Sequence, residues 1–334
     1  MIKQSVVRLS GIVVIAALIA GCAGNKPSPS AAQPEKRVNT AAAKALTSEV
    51  PVVQDRHASK VYTASEGRQL ERRNGYRVDH SLRTQGANER IQTLVIHYTA
   101  EDDQHSIEAL EKSNKVGVHY LVTAQPGRYQ HQPVVLQMAD ESKRAWHAGR
   151  SSWDGRTGLN DTSIGIEIVN KGFTKTPDGL VFSPFSMSQI ALVTALAKDI
   201  VTRYGIDPTH VVGHSDIAPG RKLDPGPFFP WQKLAQAGIG AWPEASTVAY
   251  YRQRFDARLP TVAQLQRGLA SYGYDITVSG DLDQQTRRVL ASFQMHFRPT
   301  HYDGNYDAET AAILFALVSK YRSPRQAALL LAQH

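Results

Sequence analysis

The chain of 334 residues has a single cysteine. That excludes an intramolecular disulfide framework and a cysteine-built zinc finger. Beyond the N-terminus no apolar run reaches the roughly 18 residues that a spanning helix needs, so an internal membrane span is excluded as well. No glycine-rich phosphate cradle occurs, and Gly213-His214-Ser215-Asp216 lacks the closing glycine of a Gly-x-Ser-x-Gly elbow. A serine hydrolase is therefore disfavoured. Charged residues are only 20% of the chain against 42% hydrophobic, which leaves ample core and argues against disorder throughout. The length suggests about two domains.

The formal charge of +8 favours anionic polymers or surfaces. It does not choose among nucleic acid, phospholipid and cell-wall glycan. The basic run from Arg68 to Arg77 lacks the aromatic interleaving of a base-stacking platform and reads as a solvated face, so no nucleic-acid partner is expected.

The N-terminus reads as an address. Lys3 and Arg8 precede the apolar stretch 12–20, too short for an anchor and suited to a secretory signal. It closes on Ile19-Ala20-Gly21-Cys22, which resembles a bacterial lipobox. Residues 1–21 are then a signal peptide and Cys22 the lipidated first residue. Two or three acyl chains give stable anchoring where one is marginal. Ala23 follows, with no aspartate there, and by resemblance to enteric lipoproteins this points to the outer membrane of a Gram-negative cell, facing the periplasm. Residues 22–57 are rich in Ala, Ser, Pro, Lys and Asn and read as a flexible tether.

Globular patterning starts near residue 75. Thr93–His97 and Val116–Thr123 read as strands, and 163–169 alternates, with Ile164, Ile166 and Ile168 on one face and Gly165 and Glu167 on the other. Ser188 is a plausible cap for a long helix that Gly205 ends. Val211-Val212-Gly213 is a short strand feeding a Gly/Pro-rich loop. Intermixed strands and helices imply an α/β domain, with a mixed central β-sheet flanked by helices, over 58–245. Residues 243–259 look like a boundary. Beyond it, over 250–334, the pattern is helical, and Gly280, Asp283 and Thr286 recur 24 residues later as Gly304, Asp307 and Thr310. Each glycine turns the chain and each aspartate caps the next helix. A small, separable all-helical module is expected, so that a chain cut near 245 would keep its chemistry.

His97 and His214 end strands, and Asp224 lies ten residues past His214 in a loop. Two histidines and a carboxylate can supply three metal ligands and leave a fourth position open for water, as catalytic zinc requires. Glu167, on the polar side of its strand, suits a general base, and Lys222 can reach a developing oxyanion. The residues alone leave the alternative open, since a strand-end histidine is often structural and the chain has twelve histidines.

Five segments in order, Leu94–Thr99, Val118–Val122, Ala145–Gly149, Ser163–Asn170 and Val212–Gly226, resemble the zinc-dependent N-acetylmuramoyl-L-alanine amidases related to peptidoglycan recognition proteins. The resemblance implies a Zn2+ site at His97, His214 and Asp224, a base at Glu167 and an oxyanion-stabilising Lys222. It places His119, Trp146, His147 and Asn170 near the substrate groove. His105, His131, His210, His296 and His301 match no catalytic position. The implied reaction cleaves the amide between N-acetylmuramic acid and L-alanine, with peptidoglycan and muropeptides as partners and the protein a monomer. The stretch 293–317 resembles a peptidoglycan-binding helical domain. A non-hydrolytic wall-binding lipoprotein and a metallohydrolase for another amide are the competing readings.

Overall fold

A computed structural model describes residues 70–80, 83–177 and 179–333. Cys22, the signal peptide and the tether lie outside the described residues. Two compact units are present, one ending at Arg83 and one running from Thr84 to His334. In the first, Glu71–Arg73 and Tyr76–Val78 form an antiparallel hairpin that turns through Gly75 at φ +83°. Its basic residues are exposed, as a solvated face requires.

In the second unit, apolar runs too short for helices make a five-stranded sheet. Its strands are β1 (Thr93–Tyr98), β2 (Tyr120–Val122), β3 (Leu136–Gln137), β4 (Ser163–Ile168) and β5 (Val211–Gly213). The order is β5-β1-β4-β2-β3, with only β3 antiparallel to its neighbour. This is the expected mixed sheet. Strand β2 is shorter than the apolar run 116–123 because its first half bonds elsewhere: Gly117 N–H donates to Trp146 O, and His119 O accepts from Met138 N–H.

Strands buried on both faces read as continuous apolar runs, and β1 is such a strand. Leu94 and Ile96 join Ile164, Ile166 and Ile168 against helix α1 (Met187–Tyr204), which contributes Ile190, Val193, Ala197 and Ile200. Each Leu, Ile or Val side chain so buried is worth about 1.5–3 kcal/mol. Helix α1 is capped by Ser186, not Ser188. Ser186 Oγ accepts from Gln189 N–H while the Gln189 side chain accepts from Ser186 N–H, a reciprocal box that needs Gln three residues after the cap. Gly205 ends the helix at φ +60°.

Val95 and Val212 point to the opposite face. There they join one apolar cluster with Trp153, Ile217, Tyr274, Phe293 and Phe297. The later residues belong to a helical array: α2 (Ala245–Ala257), α3 (Val262–Tyr272), α4 (Gln284–Phe297), α5 (Ala308–Tyr321) and α6 (Pro324–Ala332). Asp283 and Asp307 cap α4 and α5 by accepting from the amides of Thr286 and Thr310. A buried glutamine, Gln266 or Gln294, accepts the N–H of each repeat glycine, Gly280 or Gly304. The region 243–259 contains helix α2, whose Tyr251 and Phe255 rings pack near Phe315. Among the described residues no helix is long and apolar enough to cross a membrane.

Glu141 ties the sheet to the end of α1. Arg203 donates to both its carboxylate oxygens at 2.6 and 2.7 Å, and the Tyr120 and Tyr204 hydroxyls donate at 2.8 Å. The Arg203 bonds and the two hydroxyls outweigh burial and hold this carboxyl at about 2. With the folded value depressed, the stabilisation is full above the unfolded value and fades as pH falls toward 2. Glu141→Gln is expected to lower unfolding free energy at pH 7 by about 1–2 kcal/mol, allowing for solvent screening. Urea melts at pH 7 and pH 3 check this: the gap to the wild type should shrink at pH 3, and an unchanged gap would count against the ionic account.

Candidate metal and active site

Parallel strands end together, and in open α/β sheets the crevice beyond their carboxyl ends is where ligands sit. Here β1 and β4 run in register with His97 opposite Glu167. Strand β5 pairs with β1 through Gly213 and Ile96, which delivers His214 beside them. The loop after the short helix His214–Ile217 returns Asp224, whose carbonyl accepts from Ser215 N–H.

Three ligand atoms converge. His97 Nδ1 lies 2.9 Å from His214 Nδ1, and Asp224 Oδ2 lies 3.0 Å from each. All three side chains are buried. The outer nitrogens face other partners. His214 Nε2–H donates to Ala148 O at 3.1 Å, and His97 Nε2 lies 3.0 Å from His147 Nδ1. Both Nδ1 atoms therefore face the common point. Burial, with the His214 charge beside it, lowers His97 to about 4, so the imidazole is neutral at pH 7 and ready to ligate. Burial opposes charge on Asp224, yet His214 and His97 outweigh it and hold the carboxyl well below the usual range. Two imidazoles and a carboxylate are a donor set that fits a divalent zinc-like cation.

Glu167 is half-buried, and its Oε2 has no hydrogen-bond partner among the described residues. Burial, then the Asp224 charge, pushes its carboxyl up to about 8, against the pull of Lys222. A carboxylate so placed takes up a proton readily. Glu167, Lys222, His214 and Asp224 line one cavity of about 220 Å³, with Tyr98 and Trp146 on its walls. Trp146 is 54% exposed, with Arg144 over its ring at 5.3 Å. A flat, accessible aromatic of this kind suits stacking on a sugar face.

The four expected substrate contacts divide. Trp146 and His147 line the cavity. His119 and Asn170 do not, and both are occupied internally. His119 Nδ1 accepts from Gly165 N–H while its Nε2–H donates to Lys143 O. Asn170 donates to the carbonyls of Ser183 and Pro184 and accepts from Gly172 N–H. Fully satisfied buried polar groups of this type fix backbone, so the structure gives these two a supporting place in the fold.

Sequence reasoning gave Asp216 no role and placed His296 only outside the catalytic positions. Asp216, two residues after His214, accepts from Gly213 N–H at 2.7 Å, from the Tyr274 hydroxyl at 2.6 Å and from His296 Nδ1–H at 2.7 Å. His296 also stacks on Trp231 with centroids 3.8 Å apart. The helical array thus holds the strand-to-loop turn that carries a candidate ligand. No local signal marks this pair, since 80 residues separate the partners.

Residues 87–227 match the family described as N-acetylmuramoyl-L-alanine amidase, and 258–314 match a family described as a proposed peptidoglycan-binding domain. N-acetylmuramoyl-L-alanine amidase AmiD of Escherichia coli is 51% identical over 74% of this chain and 89% of its own length. A solved complex of the E. coli AmiD with anhydro-N-acetylmuramic acid-L-Ala-D-gamma-Glu-L-Lys superposes with a TM-score of 0.70 at 49% identity, over 75% of this chain and 98% of that one. AmpDh3 of Pseudomonas aeruginosa, solved with an anhydromuramic pentapeptide, gives a TM-score of 0.68 at 44% identity, over 73% and 98% of the two chains.

Proposed function

Because this chain belongs to the N-acetylmuramoyl-L-alanine amidase family, we propose that the buried His97, His214 and Asp224 hold Zn2+ and that the cavity lined by His214, Asp224 and Glu167 is where the amide between N-acetylmuramic acid and L-alanine is cleaved. The protein is an N-acetylmuramoyl-L-alanine amidase acting on peptidoglycan or its muropeptide fragments. The observation that carries the metal reading is the convergence of the two Nδ1 atoms and Asp224 Oδ2 within 3.0 Å of one another.

When bound, the cation polarises the scissile carbonyl and acidifies water at the site. The chain's residues do the rest. Glu167 takes the proton of the attacking water and then returns one to the departing alanine nitrogen. Its raised affinity for protons makes it competent in both directions. Lys222 sits on the same cavity and offers a positive charge to the oxyanion that forms at the carbonyl. Trp146 gives the muramic ring a face to stack on. A binding-only role is disfavoured because Glu167 and Lys222 line the same cavity as His214 and Asp224.

The whole chain, incubated with an anhydromuramyl tripeptide, should release a peptide beginning with L-alanine and the free sugar, seen by mass spectrometry. Intact substrate in the presence of stoichiometric zinc would contradict the assignment. The helical region is proposed to add affinity for intact wall, with the protein acting as a monomer. Cys22 is proposed as the site of lipidation, holding the enzyme at the outer membrane on its periplasmic side. Cys22→Ser should abolish lipid labelling and release a folded, active protein. Retention of the variant in outer-membrane fractions at high salt would refute the anchor.

A further inference from the structure

We propose that His147 is a positioning residue for the metal site: together with Ser163 it fixes the tautomer in which His97 presents Nδ1. The proton inventory follows from one backbone carbonyl. Ser163 Oγ lies 2.7 Å from Leu159 O, which can only accept, so the single hydroxyl proton is committed there. His147 Nε2 lies 3.2 Å from Ser163 Oγ and must therefore be the donor in that pair. His147 is buried and touches no carboxylate, so it is neutral and carries this one proton. Its Nδ1 is then an acceptor, and the group 3.0 Å away, His97 Nε2, is the donor. With its proton on Nε2, His97 turns a lone pair on Nδ1 toward His214 Nδ1 and Asp224 Oδ2. Outer partners that hold a ligand imidazole in one tautomer and orientation commonly matter 10–100-fold to metal affinity.

The neighbouring residue does the same for the other imidazole. Ala148 O accepts from His214 Nε2–H. The dipeptide His147-Ala148 therefore sets both tautomers, one through a side chain and one through a carbonyl. The fold makes room for this. A Cβ at Gly165 would stand 2.6 Å from His147 Cγ, so β4 carries glycine where the ring crosses it. His119 accepts the Gly165 N–H and fixes that backbone beneath the ring. A substrate contact would leave one His147 nitrogen free for ligand, whereas both are engaged inside the protein.

The inference rests on the zinc reading of His97, His214 and Asp224. Zinc affinity of the full chain is measured by competition with a chromophoric chelator, without substrate, alongside melting of the metal-free proteins. His147→Phe keeps an aromatic ring, somewhat larger than imidazole, but offers no acceptor, and it should weaken zinc binding on the order of 10–100-fold. His147→Gln, whose carbonyl can accept from His97 Nε2–H, should recover part of the loss. Ser163→Ala leaves the His147 ring in place and frees its tautomer. It should weaken zinc binding severalfold while the metal-free protein, at a lowered midpoint, still melts cooperatively, and it keeps the test decisive if His147→Phe does not fold. Wild-type affinity in Ser163→Ala and in a folded His147→Phe, with a raised KM instead, would overturn the inference and make His147 a substrate contact. A wild-type chain that binds no zinc would instead overturn the metal reading itself.

Discussion

A chain ending at Ala245 is expected to lose its cooperative unfolding transition, and with it metal retention and activity. Strand β1 is apolar on both faces, and α1 covers only one of them. Val95 and Val212 on the other face share their cluster with Tyr274, Phe293 and Phe297. Trp153, only 2% exposed, stands edge-on to Tyr272 and Tyr274. It presses on Gly273, where a Cβ would lie 2.9 Å from its ring, and the neighbouring Asp154 N–H donates to Gly273 O at 2.8 Å. Uncovering four or five large apolar side chains costs about 1.5–3 kcal/mol each. That alone rivals the roughly 5–15 kcal/mol by which a domain is stable. Asp216 also loses two of its three donors, Tyr274 and His296, beside the proposed ligand His214. Calorimetry and zinc analysis of the shortened chain check this. A sharp melt with full zinc and normal turnover would show that the helices are an appendage, as the repeat pattern alone suggests.

Glu167→Gln is expected to keep zinc and substrate affinity while kcat falls on the order of 10²–10⁴-fold, the usual worth of a general acid–base. The amide matches the carboxyl in shape but cannot take a proton. Because the group acts on transition-state charge, the loss belongs in kcat rather than KM. The pH profile carries the same signature. A base works deprotonated, so activity should rise with pH through the Glu167 value. Burial and the Asp224 charge push that value to about 8 without a cation, and a bound cation draws it back toward the ordinary 4.5. An acid limb between those limits is expected in the wild type and should vanish from the residual activity of Glu167→Gln. A variant with near wild-type kcat would remove Glu167 as the base.

Much of the catalytic half is legible along the chain because its signals are local. The alternation in 163–169 puts Glu167 off the isoleucine face, and the structure brings it opposite His97. The 24-residue echo of Gly, Asp and Thr marks two helix caps, both of which form. What escapes is tertiary. Ser186 and Ser188 are alike in composition, and only the Gln three residues after Ser186 separates them. Helix α2, within the stretch 243–259, buries little more than Tyr251 and Phe255, so its packing on the later helices is not visible along the chain. The resemblance places His147 near the groove and it does line the cavity, but its hydrogen bonds to His97 and Ser163 join residues far apart in the chain. His296 is unremarkable in a helix until Asp216, from the distant short helix His214–Ile217, meets it at 2.7 Å.

Zinc content of the purified wild type beside His214→Ala and Asp224→Ala, each with its turnover of an anhydromuramyl tripeptide, tests the central claim most directly. A buried site that loses one of three ligands loses affinity before any effect on chemistry. The wild type should carry about one zinc per chain, and both variants should fold, hold little zinc at matched total metal and turn over no substrate. Full zinc occupancy in either variant, or undiminished hydrolysis without zinc, would contradict the assignment of His97, His214 and Asp224 as the metal site.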